Sequence, residues 1–175
     1  MSKIVITGGA GFIGSHVTER VRKEFPDSKI VILDKMTYAA DIDNISHLLD
    51  RHTTRLIVGD VCDLDLCHRV LDGADLLIHL AAESHVDNSF GDSLLFTKTN
   101  ALGTHTLLEA CRINEVPKII HISTDEVYGE VLVGEVDETE VLSPTNPYSA
   151  SKACAEMLVM GYMKSFKLPV IKIRA

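Results

Sequence analysis

The sequence predicts a doubly wound α/β domain: a Rossmann fold in three αβα layers around a parallel sheet of strand order 3-2-1-4-5-6. Three observations lead there. Short, continuous apolar runs rich in β-branched residues alternate with longer helical patterns, as in parallel βαβ units whose sheet is covered on both faces. A glycine-rich turn joins the first run to the first helix. An acidic residue closes the second run.

The elements follow in order. Ile4 to Thr7 reads as a buried strand, and a helical pattern follows the glycines to about Phe25. Lys29 to Asp34 (KIVILD) is the second strand, and a mixed stretch with helical character runs to about Asp50. Arg55 to Val58 is the third strand and Leu64 to Leu71 a short helix. Asp75 to Leu80 (DLLIHL) is the fourth strand. Ser93 to Asn114 reads as one long helix ending near Pro117. Lys118 to Ser123 (KIIHIS) is the fifth strand, and the stretch from Gly129 to Ser143 is acidic and irregular. Asn146 suits the N-cap and Pro147 the first position of a second long helix, to Phe166. Val170 to Arg174 (VIKIR) is the sixth strand.

The 175 residues suit one domain, 1–175. A buried type of strand ends the sequence at Ala175, so the natural protein is expected to continue. The N-terminus enters a strand directly, without the apolar core of a secretory signal, and no run of 18 apolar residues occurs. Lysine and arginine total 17 against 25 acids, a net charge of -8. An acidic domain without a basic stripe argues against nucleic acid and anionic membrane as partners. The spacing of Cys62, Cys67, Cys111 and Cys154 fits neither a zinc site nor a CxxC pair, so reduced thiols, a cytoplasmic location and no metal are expected.

Thr7 to Gly14 (TGGAGFIG) fits G-x-G-x-x-G at Gly9, Gly11 and Gly14, and G-x-x-G-x-x-G at Gly8, Gly11 and Gly14. The first glycines allow a tight turn. Gly11 leaves a pyrophosphate free to approach the backbone, and Gly14 lets helix and strand pack closely. The helix N-terminus then supplies N–H groups to the phosphates. Asp34 lies twenty residues beyond Gly14, where a carboxylate accepts ribose hydroxyls and repels a 2′-phosphate. The expected cofactor is therefore NAD rather than NADP, although neighbouring Lys35 would soften that repulsion. Asp60, after the third strand, is equally placed to meet an adenine amino group or to cap the following helix. Leu80, Ala81 and Ala82 would let the backbone lie under the cofactor.

Tyr148 and Lys152 stand four apart on the last helix and share a face. A nearby ammonium and an oxidised nicotinamide would favour the phenolate and make Tyr148 a usable base. Thr124, at the end of the fifth strand, can hydrogen-bond a substrate hydroxyl and the Tyr148 phenol. Asp125 and Glu126 follow it at the edge where open α/β sheets bind ligands. Two carboxyls in different surroundings can act as acid and base.

The glycine loop, Leu80 to Asp87 (LAAESHVD), Ser123 to Gly129 (STDEVYG) and Pro147 to Lys152 (PYSASK) resemble the extended short-chain dehydrogenases. Within them they resemble the nucleoside-diphosphate-glucose 4,6-dehydratases. The Asp-Glu pair is the most specific element; the related 4-epimerases carry small or neutral residues there. His85 to Cys111 is similar to eukaryotic UDP-glucose dehydratases of rhamnose synthesis, and Glu83 to the bacterial dTDP-glucose enzymes.

The resemblance implies an NAD-dependent lyase acting on dTDP- or UDP-glucose. It assigns Glu126 to the C5 proton, Asp125 to the departing C6 hydroxyl and Tyr148 to the C4 hydroxyl. It adds Phe12, Ile13, Lys35, Thr37, Val61 and Thr99 to the cofactor contacts, and Ser84 and His85, with Thr124, to the substrate contacts. The family's sugar-nucleotide-binding lobe follows the sixth strand and is not among these residues. A fragment of this kind is expected to bind NAD with negligible turnover alone. A 4-epimerase is the nearest alternative, separable by its product, and a non-catalytic NAD-binding module the other, separable by turnover. The helices 93–114 and 147–166 are apolar on more than one side, so a homodimer through a four-helix bundle is also expected, as in the family resembled.

Overall fold

The structure is a computed structural model and describes residues 2–50 and 52–175. Its sheet has six strands: β1 (Lys3–Thr7), β2 (Lys29–Asp34), β3 (Thr54–Val58), β4 (Leu76–His79), β5 (Ile119–Ser123) and β6 (Val170–Arg174). Their order is β3-β2-β1-β4-β5-β6, and every neighbouring pair is parallel. The order reverses between β1 and β4, which leaves a crevice at the carboxyl ends of those strands.

Alternation along each strand divides the core in two. Val5, Val31, Leu77, Ile119 and Val170 face helices α2 (Leu64–Leu71), α5 (Gly103–Ile113) and α6 (Pro147–Phe166), packing with Cys67, Val70, Leu107, Cys111 and Val159. Ile4, Ile6, Ile30, Ile32 and Ile78 face the other way, against Val21 of α1 (Phe12–Glu24) and Ile45. This two-sided burial is why the strands lack polar alternation. All four cysteines are free thiols. Among the described residues no helix is long and apolar enough to cross a membrane.

Three segments depart from the sequence reading. The stretch before Asp50 holds two 3-10 turns, Ile42–Asn44 and Ser46–Leu48, not a helix. A six-residue helix, α3 (Val86–Gly91), follows His85 and is too short to show a period. The long helix from Ser93 is not uniform: α4 (Ser93–Phe96) passes into a π-helical stretch, Thr97–Leu102, before α5. That inserted width turns Asn100 into the interior. Its side chain accepts from the Glu83 N–H at 2.8 Å and donates to the Glu83 carbonyl at 2.9 Å and Ser151 Oγ at 2.8 Å. One helix thereby ties the β4 loop to α6.

Candidate active site

A cleft of about 720 Å³ opens at the switch point. Gly8, Gly11, Phe12, Ile13 and Gly14 form its floor. Asp34, Lys35, Thr37, Asp60 and Val61 line it from the ends of β2 and β3, and Leu80, Ala81, Ala82, Ser84 and His85 from the end of β4. Thr99, Thr124, Tyr148 and Lys152 close the far side. Asp125 and Glu126 do not line the cleft; they lie at its rim in a 3-10 turn, Asp125–Tyr128, directly after Thr124.

The floor suits a pyrophosphate. Gly8 has φ +72°, and a Cβ there would lie 2.6 Å from the Ala81 nitrogen. A Cβ on Gly14 would lie 2.0 Å from the Gly8 oxygen, so loop and helix meet backbone to backbone. At Gly11 the nearest atom would be 3.4 Å away, leaving that side open. Gly11 is also the N-cap of α1, which has no side-chain cap and no acid in its first turn. Its amides and dipole are available to an anion.

Asp34 holds this floor in place. One carboxylate oxygen accepts from Ala10 N at 3.0 Å and the other from Met36 N at 2.9 Å. Each oxygen keeps a lone pair for a ribose hydroxyl. Lys35 pairs with Asp60 at 2.9 Å, drawing the ammonium to Asp60. Asp60 also accepts from Cys62 N, and these two partners outweigh burial to lower its pKa. It does not cap α2; Asp63 does, accepting from Leu66 N at 2.9 Å.

Tyr148 and Lys152 share the cleft face of α6, both nearly buried. Lys152 Nζ donates to the Ile122 carbonyl at 2.7 Å, and burial brings its pKa down to about 8. The Tyr148 phenol is shifted the other way. Burial raises its pKa, Glu126 and Asp125 add to the rise, and the Thr124 hydroxyl opposes it.

Beneath the floor runs a polar chain that sequence reasoning missed. The Thr104 hydroxyl donates to the Asn100 carbonyl at 2.6 Å, so it accepts from His79 Nε2–H at 3.0 Å. His79 Nδ1 then accepts from Thr7 Oγ1 at 2.7 Å. His121 lies tilted against His79 with ring centroids 5.3 Å apart, and neither of its nitrogens has a partner among the described residues. Single polar residues near the carboxyl ends of otherwise apolar strands, Thr7, His79 and His121, were the available signal. Tyr38 was also missed, and Glu83 was noted only for its resemblance, without a contact. The Tyr38 hydroxyl donates to Glu83 Oε2 and accepts from Asn88 Nδ2, both at 3.1 Å, across the cleft mouth.

A buried ion cluster braces the rim. Glu156 on α6 is fully buried and binds Arg174 through both oxygens at 2.9 and 2.7 Å, and Lys172 at 3.1 Å. Arg174 donates to the Tyr128 hydroxyl at 2.5 Å with its guanidinium 4.8 Å from that ring's centre. The two cations, with Arg174 foremost, overcome burial and bring Glu156 down to about 2. Among the described residues no group of three metal-ligating side chains occurs.

Residues 5–175 match the family described as GDP-mannose 4,6 dehydratase. The chain belongs to this family. It is 48% identical over its whole length to a dTDP-D-glucose 4,6-dehydratase of Dictyostelium discoideum, of which it covers 43%. It is 49% identical over 98% of its length to a trifunctional UDP-glucose 4,6-dehydratase/UDP-4-keto-6-deoxy-D-glucose 3,5-epimerase/UDP-4-keto-L-rhamnose-reductase of Arabidopsis thaliana, of which it covers 26%. The crystal structure of a dTDP-glucose 4,6-dehydratase from Streptomyces venezuelae, with NAD and TYD bound, superposes with a TM-score of 0.94 at 39% identity, covering 98% of this chain and 55% of that one. A UDP-glucuronic acid 4-epimerase from Bacillus cereus superposes at 0.90 and 34% identity, covering 98% and 55%. The chain thus spans about a quarter to a half of the length of these relatives.

Proposed function

We propose that this chain is the NAD-binding and catalytic portion of a nucleoside-diphosphate-glucose 4,6-dehydratase acting on dTDP- or UDP-glucose. The observation that carries the reading is the Asp125–Glu126 turn at the rim of a cleft that also presents Tyr148 and Lys152. A glycine floor, free helix amides and a carboxylate at the ribose position fit NAD, which is the cofactor in the Streptomyces venezuelae structure. The relatives' greater length accommodates a separate lobe for the sugar nucleotide.

Bound NAD would accept the hydride from C4 of the glucosyl unit and return it to C6. The residues of this chain move the protons. Tyr148 takes the C4 hydroxyl proton as that carbon becomes a ketone. The ketone acidifies C5, and Glu126 removes the C5 proton. The C5–H electron pair becomes the C5=C6 double bond as the C6–O bond breaks. Asp125 gives its proton to the departing oxygen, which leaves as water, and Glu126 returns its proton to C5 as the hydride reaches C6. Elimination needs a base at one carbon and an acid at the next, which two adjacent carboxyls can supply. We further propose a cytoplasmic homodimer through a four-helix bundle of the helical stretch 93–114 and α6; a monomeric mass at micromolar concentration would refute the dimer.

The test is calorimetric titration with NAD and NADP beside a dehydratase assay and product analysis with both sugar nucleotides. The expected result is tighter NAD binding, a 4-keto-6-deoxyglucose product from the natural full-length protein, and negligible turnover by residues 1–175 alone, because remote binding energy orients the sugar. Tyr148→Phe should stop C4 oxidation, whereas Glu126→Gln should permit it and block elimination. An epimerised product, or failure of both variants before C4 oxidation, overturns the assignment.

A further inference from the structure

We propose that Asn146 is a positioning residue for Glu126, aiming its carboxylate from the frame of α6; this rests on the dehydratase reading above. Asn146 begins α6 in extended geometry, with φ -141° and ψ 165°. Its Oδ1 accepts from the Ser149 N–H at 2.8 Å, while Ser149 Oγ accepts from the Asn146 N–H at 3.2 Å. This reciprocal pair fixes the orientation of the amide, because the helix needs its oxygen. A planar amide fixed at its oxygen is also fixed at its nitrogen. That nitrogen donates to Glu126 Oε2 at 3.0 Å.

The residue type matters. Serine and aspartate cap helices about as well as asparagine does, and threonine caps them less well. Asparagine alone among them caps with one atom and donates an N–H from another. A serine hydroxyl is committed to the cap and too short to reach Glu126, and an aspartate would set a second carboxyl against it. The amide nitrogen has no proton to surrender at neutral pH, so it holds the carboxylate without competing for the proton that carboxylate is to take. With Oε2 occupied, Oε1 is left for the substrate.

The same helical turn carries Tyr148, two residues on, and Lys152 one turn later. The groups for the two chemical steps therefore share one frame: Tyr148 through the α6 backbone, Glu126 through the cap of that helix. Asp125, by contrast, is exposed, with the Thr124 hydroxyl at 3.3 Å as its nearest side-chain partner.

The experiment has two arms. In the first, the side-chain amide protons of Asn146 are observed by NMR in this chain. One should lie downfield as a hydrogen-bonded proton, move upfield in Glu126→Ala and stay in place in Asp125→Ala. An amide indifferent to Glu126 overturns the proposal. In the second, Asn146→Ser and Asn146→Asp are made in the natural full-length protein, and each keeps the helix cap. C4 oxidation and water elimination are followed separately by rapid-quench analysis. Elimination should fall about tenfold or more while C4 oxidation changes far less, since misplacing a reacting group slows only its own step. Asn146→Ala, which also loses the cap, should add a fall in thermal stability that the other two lack. Equal slowing of both steps, or no change in Asn146→Ser, overturns the proposal and leaves Asn146 a helix cap. If the unaltered protein never oxidises the sugar, the dehydratase reading fails and the proposal with it, and the first arm still reports whether the contact exists.

Discussion

Replacing Asp34 perturbs the fold before it perturbs cofactor choice. Its two carboxylate oxygens accept two backbone N–H groups, and Ala10 is completely buried. In Asp34→Asn one acceptor remains and the NH2 opposes a second N–H. The asparagine will turn its oxygen to buried Ala10 and abandon Met36, whose N–H water can reach. That loses one charge-assisted hydrogen bond, about 2 kcal/mol. Asp34→Ala loses both and leaves the Ala10 N–H without an acceptor, which raises the loss to about 4 kcal/mol. For a domain of this size each kcal/mol is about 2–4 °C. Melting midpoints by circular dichroism should therefore fall about 4–8 °C for Asn and about 8–16 °C for Ala, without any ligand. Cofactor titrations of either variant belong well below those midpoints. Equal midpoints for both variants, or shifts within about 1 °C of the wild-type value, would refute the structural role and leave Asp34 a cofactor contact alone.

Further outcomes follow from the buried charges. Burial lowers the pKa of both His79 and His121, the latter to about 3, so both stay neutral when folded while the unfolded forms protonate below 6.5. The unfolded state then binds more protons, and stability should fall by about 3 kcal/mol per pH unit below about 6. Urea midpoints across pH 7 to 4 measure this. His121→Leu, which removes a buried ring without partners, should roughly halve the slope, and an unchanged slope would exclude His121 as a contributor. Glu156, brought down to about 2 from 4.5, adds stability that is present above pH 4.5 and is lost as the pH falls toward 2. Glu156→Gln leaves Arg174 and Lys172 without their counter-charge and should cost about 3 kcal/mol at pH 7, read as a shifted urea midpoint.

The strand order was legible because apolar runs, a glycine turn and a terminal aspartate each report a local physical demand. The cleft lining was legible for the same reason, since residues at strand ends in an open parallel sheet converge on one edge. What escaped depended on interactions without a local signature. One π-helical insertion barely disturbs a helical pattern, yet it turns Asn100 inward. The cap of α2 is Asp63 rather than Asp60 because Asp63 directly precedes Leu64, the first helical residue, while Asp60 engages Lys35, distant in sequence. Asn146 was legible as a cap; its second bond, to Glu126, needs the turn after β5 brought alongside.

The wiring of Arg174 also bears on the order in which the molecule assembles. The glycine floor needs only β1, β2 and the β4 loop, which meet through Asp34 and Ala81. The turn carrying Asp125 and Glu126 is held by Arg174 at Tyr128, by the Asp125 N–H on the Ala175 carbonyl, and by the cap of α6. All three braces come from segments later in the chain, and β6 docks on β5 only after α6 has crossed the sheet. Long-range parallel pairings close slowly. A nascent chain can therefore shape the dinucleotide floor while the two carboxyls still lack their supports. A ligand bound to that floor would then stabilise the first half before the second has formed.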